Sequence, residues 1–324
     1  MNEILRFMNI LQRRGNGFYT PGRRILPDKK VGEYCAFMKK KFWETIVKWI
    51  FLLCGIAAVG FVLCICLYLV ISGVPAIREI GLWNFLFGET WNAPTNEFGI
   101  LPFILTSIYG TAGALLLGVP LGLFTAVFLA KAAPPRVAAA ARSCVALLAG
   151  IPSVVYGLVG MTVLVPLVQK TFSLSSGACL LTAILVLTVM ILPYIVSVSE
   201  TALRAVPREY EKASLALGAT KVETWFLVSL KAAKSGVIAS VIQGTGRAVG
   251  EAMAILMVAG NVANMPSLFT SVRFLTTAIV SEMSYAAYGS LQRDALFSVG
   301  LVLFLFILLI NAALRLLSER SAKA

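Results

Sequence analysis

Hydrophobic and polar positions along this chain separate into long blocks rather than short alternations. Apolar runs occupy about 46–72, 100–131, 139–169, 178–199, 235–260 and 295–317. Each is long enough to cross a hydrocarbon core of about 30 Å as a helix, so the pattern predicts six membrane-spanning helices. The first run is too long for a signal-peptide core and lacks a small-x-small cleavage site, so it is expected to stay as a span; Trp43 and Trp49 stand at its inner edge as interfacial anchors do. A further apolar stretch, 266–291, carries Arg273 and Glu282 and is placed on the outer face as interfacial helix or loop. The expected order is a basic arm 1–45, the first span 46–72, an outer loop 73–98, a core of five spans 99–318 with an inner loop 201–234, and a tail 319–324. Pro102 and Pro120 fall in the second run, Pro152 and Pro166 in the third and Pro193 in the fourth, where each predicts a kink whose freed carbonyl needs a partner other than lipid.

Composition agrees with the blocks. The 324 residues are 59% hydrophobic and 13% charged, with a mean hydropathy of +0.87, which excludes a water-soluble enzyme, a collagen and a disordered chain together. The net charge of +13 could signal nucleic acid, and its distribution decides otherwise. With the N-terminus inside, 23 of the 28 Lys and Arg fall on inner segments and only Arg78, Lys170, Arg273 and Arg293 on outer ones. That split predicts both termini in the cytoplasm and makes the basic charge a matter of topology. The chain has no histidine, which removes imidazole chemistry and leaves a zinc site little to build on. Cys54, Cys64, Cys66, Cys144 and Cys179 lie in or beside apolar runs and read as small buried hydrophobes rather than a disulfide framework, while Cys35 sits in the basic arm. Neither a metal nor a cofactor is expected.

Two segments carry candidate chemistry. In the longest inner loop, Pro207, Glu209 and Glu211 suit a first helical turn, and Gly218 follows Ala213, Leu215 and Leu217 as a stop. Thr220-Lys221-Val222-Glu223 is then a capping box that opens a second helix bearing Trp225, Phe226, Val228 and Leu230. Such a helix pair suits a docking partner or a lipid surface. In the fifth run, Arg247 and Glu251 are four apart and share a helix face, where an unpaired charge costs about 3 kcal/mol or more. A guanidinium there offers a planar fork to an oxyanion, with Glu251 holding it in place and limiting how tightly it binds; a structural salt bridge to a partner is the other reading. Gly244, Gly246 and Gly250 suit close packing against another span, and Ser153, Tyr156, Gln243, Thr245 and Asn261 are polar groups that a path or a helix contact would use.

The inner-loop stretch ALRAVPREYEKASLALGATKVETWFLVSLKAAKSG resembles the E-A-A loop of ABC importer permeases. Aligned on Gly218, Lys212 stands at the family's glutamate, Ala213 and Ser214 at its two alanines, Glu211 one residue early, and Lys231 at its usual proline. AGIPSVVYGLVG at 149–160, MILPYIVSVSETALRAVP at 190–207 and GRAVGEAMAILMVAGN at 246–261 are similar to phosphate importer permeases of the PstC type, with Ala252 where threonine is common. The resemblance, which spans about 98–318, implies an all-α membrane fold of the type I ABC importer kind and a non-enzymatic subunit. It implies Glu211, Lys212, Ala213, Ser214, Gly218, Ala219 and Thr220 as the ATPase-coupling segment. It also implies as partners a PstA-type second permease, two ATPase subunits, an extracytoplasmic binding protein, inorganic phosphate and membrane lipid, and no nucleic acid. The alternatives are a permease for molybdate or sulfate, and a proton-coupled secondary transporter with Glu251 as proton carrier.

Overall fold

The computed structural model describes the backbone from Lys29 to Lys323 and the side chains from Trp43 to Leu316. The arm up to residue 28 and the side chains of the tail 319–324 lie outside the described residues. Two compact units divide between Ile65 and Cys66, and every site below falls within the second. Helix α1 (Lys29–Ile80) runs through that division. It extends beyond the expected end at 72 because its last turns find partners in the core: Ser298 donates its hydroxyl to the Gly73 carbonyl at 2.5 Å.

In the second unit α2 (Leu82–Phe87) leads to two short antiparallel strands, β1 (Trp91–Asn92) and β2 (Glu97–Phe98), with Trp91 opposite Phe98. Next come α3 (Leu101–Val127), a π-helical turn Phe128–Ala132, α4 (Pro135–Gly150), α5 (Ser153–Val159), a π turn Gly160–Leu164 and α6 (Val165–Thr171). Helix α7 (Leu180–Ala205) precedes the inner loop of α8 (Arg208–Ala216), α9 (Lys221–Glu223), a π turn Thr224–Ser229 and α10 (Leu230–Ala232). The chain ends through α11 (Lys234–Gly250), α12 (Met253–Val258), α13 (Leu275–Glu282) and α14 (Leu291–Lys323). Among the described residues five stretches are long and apolar enough to cross a membrane, Trp43–Ile80, Leu101–Ala132, Ser153–Thr171, Leu180–Ala205 and Leu291–Leu316, and a sixth follows if Lys221–Ala232 and Lys234–Gly250, bent by 73°, count as one broken span.

Prolines correct the expected boundaries. The run 139–169 is two helices, because the residue before a proline disfavours the α region: Ile151 is extended (φ −69°, ψ 128°) and Pro152 starts α5 rather than kinking a span. Pro102 sits in a first turn, where a missing donor costs nothing, while Pro75, Pro120 and Pro193 lie inside helices and Pro166 lies inside the continuous helical stretch Ser153–Thr171, just after its π turn. The fifth run also breaks, at Glu251.

Helix α7 is the hub, with 61% of its most apolar window buried against none for the first span. It meets α3 along a ladder of isoleucines seated on glycines: a Cβ on Gly113, Gly118 or Gly122 would lie 2.6–2.7 Å from Ile184, Ile191 or Ile195 respectively. Lipid tails are as apolar as isoleucine, so such close approach, rather than hydrophobicity, holds two spans together. The stretch 266–291 forms α13, whose eight residues are too short to cross. Leu275, Thr276, Thr277 and Ala278 are buried, and the Leu275 N–H donates to Ser107 on α3 at 3.1 Å. The cysteines also depart from expectation: among the described residues only Cys179 is buried, while Cys54 and Cys64 are exposed on the first span and Cys144 is exposed on α4, and all the described ones are free thiols.

Candidate functional site

Arg247 and Glu251 come together, but not as two residues on one continuous helix. Helix α11 stops at Gly250 and Glu251 is extended (φ −74°, ψ 130°). Its Oε2 lies 3.7 Å from Arg247 Nη2, an ion pair too long for a hydrogen bond. The other oxygen, Oε1, accepts the Ala254 N–H at 3.1 Å and so caps α12, while the Glu251 carbonyl accepts the Thr276 hydroxyl at 2.8 Å. Glu251 is therefore fixed by α12 and α13, and its side chain is only 6% exposed. Arg247 is 38% exposed, its guanidinium lies 5.8 Å from the Tyr194 ring centroid, and its buried Nε has no hydrogen-bond partner. This is a cation with unfilled donors, anchored on one side and open on the other.

The exposed stripe of α11 contains Ala239, Gln243, Gly246 and Gly250, next to half-buried Arg247. Gly244 meets Ile195 of α7, with a Cβ contact of 3.2 Å. Gly246 and Gly250, expected to pack against another span, have nothing within 4 Å of a Cβ position, because they lie on that open stripe. Thr245 is turned to its own helix, donating to the Val241 carbonyl, and Tyr156 donates to the Leu148 carbonyl, which ties α5 back to the end of α4. Asn261 lies apart from Arg247's group, in the cluster around Arg273.

In the inner loop, Gly218 sits at φ +88° with the Ala219 N–H returning to the Ser214 carbonyl at 3.3 Å, a six-residue bond that closes α8. Thr220 accepts the Glu223 N–H and Glu223 accepts the Thr220 N–H, the reciprocal cap read from the sequence. The two helices divide their tasks differently from expectation. Trp225, Phe226 and Leu230 pack back on Ala126, Val127, Leu203, Val206 and Ala233, whereas α8 buries no residue. Tyr210, Leu215 and Leu217, the last 89% exposed, face out together with Lys212 and Ala213. Glu211 is turned inward: its Oε1 takes Lys131 Nζ at 2.5 Å and the Ser229 hydroxyl at 2.9 Å. Partial burial pushes this carboxyl up, but the Lys131 and Ser229 hydrogen bonds and the charges of Lys131 and Arg208 outweigh it and hold it below its ordinary value.

Two polar clusters escaped the sequence reading. Buried Glu200 takes both Arg142 (2.9 Å) and Arg204 (2.8 Å), and Arg204 also donates to the Leu129 carbonyl. The i,i+4 spacing of Glu200 and Arg204 was a visible signal; Arg142 was not, since α4 is reached only through the fold. On the far side Arg273 donates to Asn261 and pairs with Glu282, which also accepts from Trp91 (2.9 Å) and Gln292 (3.0 Å). These residues line a cavity of about 530 Å³. Among the described residues no group of acidic and cysteine side chains is placed to hold a metal ion.

Broken apolar spans, a half-exposed cation at the break and a capped pair of short helices between two spans are the parts that a membrane transport subunit needs. Residues 118–323 match the family of binding-protein-dependent transport system inner membrane components. A probable ABC transporter permease of Bacillus subtilis, YqgH, is 38% identical over 268 residues, 80% of this chain and 86% of its own length. The phosphate transport system permease protein PstC of Pasteurella multocida is 32% identical over 284 residues (79% and 88%), and that of Haemophilus influenzae 34% over 271 (77% and 84%). In fold, the chain is similar to an inward-facing MetNI methionine ABC transporter structure, with a TM-score of 0.52 at 20% identity over 74% of this chain and 97% of the other. The chain belongs to the binding-protein-dependent ABC importer permeases, and its fold is of the type I importer kind.

Proposed function

We propose that this chain is a membrane-spanning subunit of an ATP-driven phosphate importer, working beside a PstA-type second permease, two separate ATPase subunits and an extracytoplasmic phosphate-binding protein. The observation that carries the reading is Arg247: a half-open guanidinium with an unfilled donor, at a break in an apolar span, beside a fixed carboxylate. The fork matches a phosphate oxyanion, and Glu251 keeps the net charge near zero, so an anion binds transiently rather than being trapped. The stripe of Ala239, Gln243, Gly246 and Gly250 then faces the second permease, and the path runs between the two. PstC relatives at 32–34% identity support phosphate over molybdate or sulfate.

The outward side chains of α8, Tyr210, Leu215, Leu217 and Lys212, form the ATPase docking surface with Ala213, Ala219 and Thr220 around the turn at Gly218. Both termini lie in the cytoplasm. The sorting of Lys and Arg supports this orientation, and the ion pairs agree with its grouping of segments, since Lys131–Glu211 and Arg142–Glu200 join segments assigned to one side and Arg273–Glu282 joins residues assigned to the other. The test is ATP-dependent uptake in proteoliposomes holding the complete complex, with phosphate, molybdate and sulfate offered in turn; preferential uptake of either of the latter two overturns the phosphate assignment.

A further inference from the structure

Helix α8 buries none of its residues, yet three polar links hold it to the chain, and two of them end on one carboxylate. Glu211 binds Lys131 and Ser229, and Ser214 shares a hydroxyl hydrogen bond with Thr224 at 2.9 Å. The far ends of these links share a property: Lys131 lies in the π turn Phe128–Ala132, and Thr224 and Ser229 bound the π turn Thr224–Ser229. The first turn closes the span of α3, and the second precedes the bend into α11, which carries Arg247. A π turn holds one residue more than an α turn, so its gain or loss rotates the adjoining helix by about 100° and shifts it about 1.5 Å. The Lys131–Glu211 bridge is shielded, with side-chain exposures of 11% and 22%, so water screens it less than a surface pair.

We propose that Glu211 is a positioning residue for transport, locking the two π turns to α8 and passing the movement of the docked helix to the α3 span and to Arg247. It does so in place of touching the ATPase, which meets the outward face at Tyr210, Leu215 and Leu217. The proposal rests on the reading that α8 docks on an ATPase, and it does not depend on which anion is carried. Lys212, exposed next to it, is left for the partner together with exposed Arg208 and Glu209.

The experiment uses the complete complex in proteoliposomes and reads three quantities: ATPase subunits retained, stimulation of hydrolysis by loaded binding protein, and anion taken up per ATP. Glu211→Gln keeps an acceptor for Ser229 and loses the charge. It is expected to retain the ATPase subunits while uptake per ATP falls about tenfold or more and the stimulation is lost. Lys131→Met should reproduce that defect, and the exchanged pair Lys131→Glu with Glu211→Lys should recover at least about half of the wild-type uptake per ATP. Normal coupling in either single variant overturns the proposal. So does loss of ATPase subunits in Glu211→Gln, which would make it a docking contact, or an exchanged pair that assembles but stays uncoupled. A wild type that is stimulated by its binding protein but carries an anion other than phosphate refutes the phosphate reading alone, because the ratios are then read with that anion.

Discussion

At the residue scale, the spacing of Arg247 and Glu251 revealed the pair but not its geometry. On a continuous helix the two residues would be equivalent partners in one pair; instead Glu251 leaves the helix, caps α12 and is held through its carbonyl by Thr276. The consequence for mutagenesis is asymmetric. Arg247→Lys keeps the charge and loses the fork, so uptake is expected to fall by about tenfold or more with assembly intact, measured as uptake per assembled complex. Glu251→Gln preserves a capping oxygen and should assemble, whereas Glu251→Leu should reduce the yield of complex. Glu200 offers a second test: Glu200→Ala leaves Arg142 and Arg204 facing each other and should cost about 1–3 kcal/mol, read as a lower thermal midpoint. For Glu211 the sign of the pH effect follows from a depressed carboxyl. Its bridge to Lys131 contributes fully above the ordinary carboxylate range and is lost as pH falls through the lower folded value. Since the chain has no histidine, the thermal midpoint of the purified protein should stay flat between about pH 6 and 8 and decline only in acid.

At the scale of elements, glycine positions are decisive for two different reasons. Gly218 has open space around a Cβ position but a φ of +88°, so the objection to a side chain there is backbone strain. Gly218→Val should leave the subunit in the membrane while hydrolysis is no longer tied to uptake, and cysteines at Ala216 or Ala219 should crosslink to the ATPase subunit in the parent chain. Gly118 and Gly122 pose the opposite problem, helical backbone with an isoleucine already in the space. Gly122→Val should push Ile195 aside and lower stability by about 1–3 kcal/mol, detectable as a drop in thermal midpoint with the coupling ratio unchanged in what assembles. The capping box and the glycine stop were legible in the sequence because both are local: their donors, acceptors and φ requirement lie within a few residues. The inward turn of Glu211 was not, since Lys131 is 80 residues away.

At the scale of the whole molecule, the apolar blocks and the sorting of Lys and Arg determined an all-α, multi-span membrane protein, and they could do so because lipid forces every backbone group into local helix bonds. Labelling of single cysteines at the two ends of the chain should succeed from the cytoplasmic side only, and the subunit should bind ATP solely through its partners. What the blocks did not contain was which run breaks. A helix start or break can be buried when another element meets its backbone groups, and those partners, Ser107 for the start of α13 and Thr276 for the break at Glu251, come from distant sequence. Sequence alone thus determined a multi-span all-α chain, the two inner helices with their glycine stop and capping box, and the identity of the charged pair, all set by hydropathy and short-range bonds. Only the tertiary structure decided that α13 enters the core, that Glu200 gathers two arginines and that Glu211 faces inward, because each depends on side chains brought together by the packing of α3, α7 and α11.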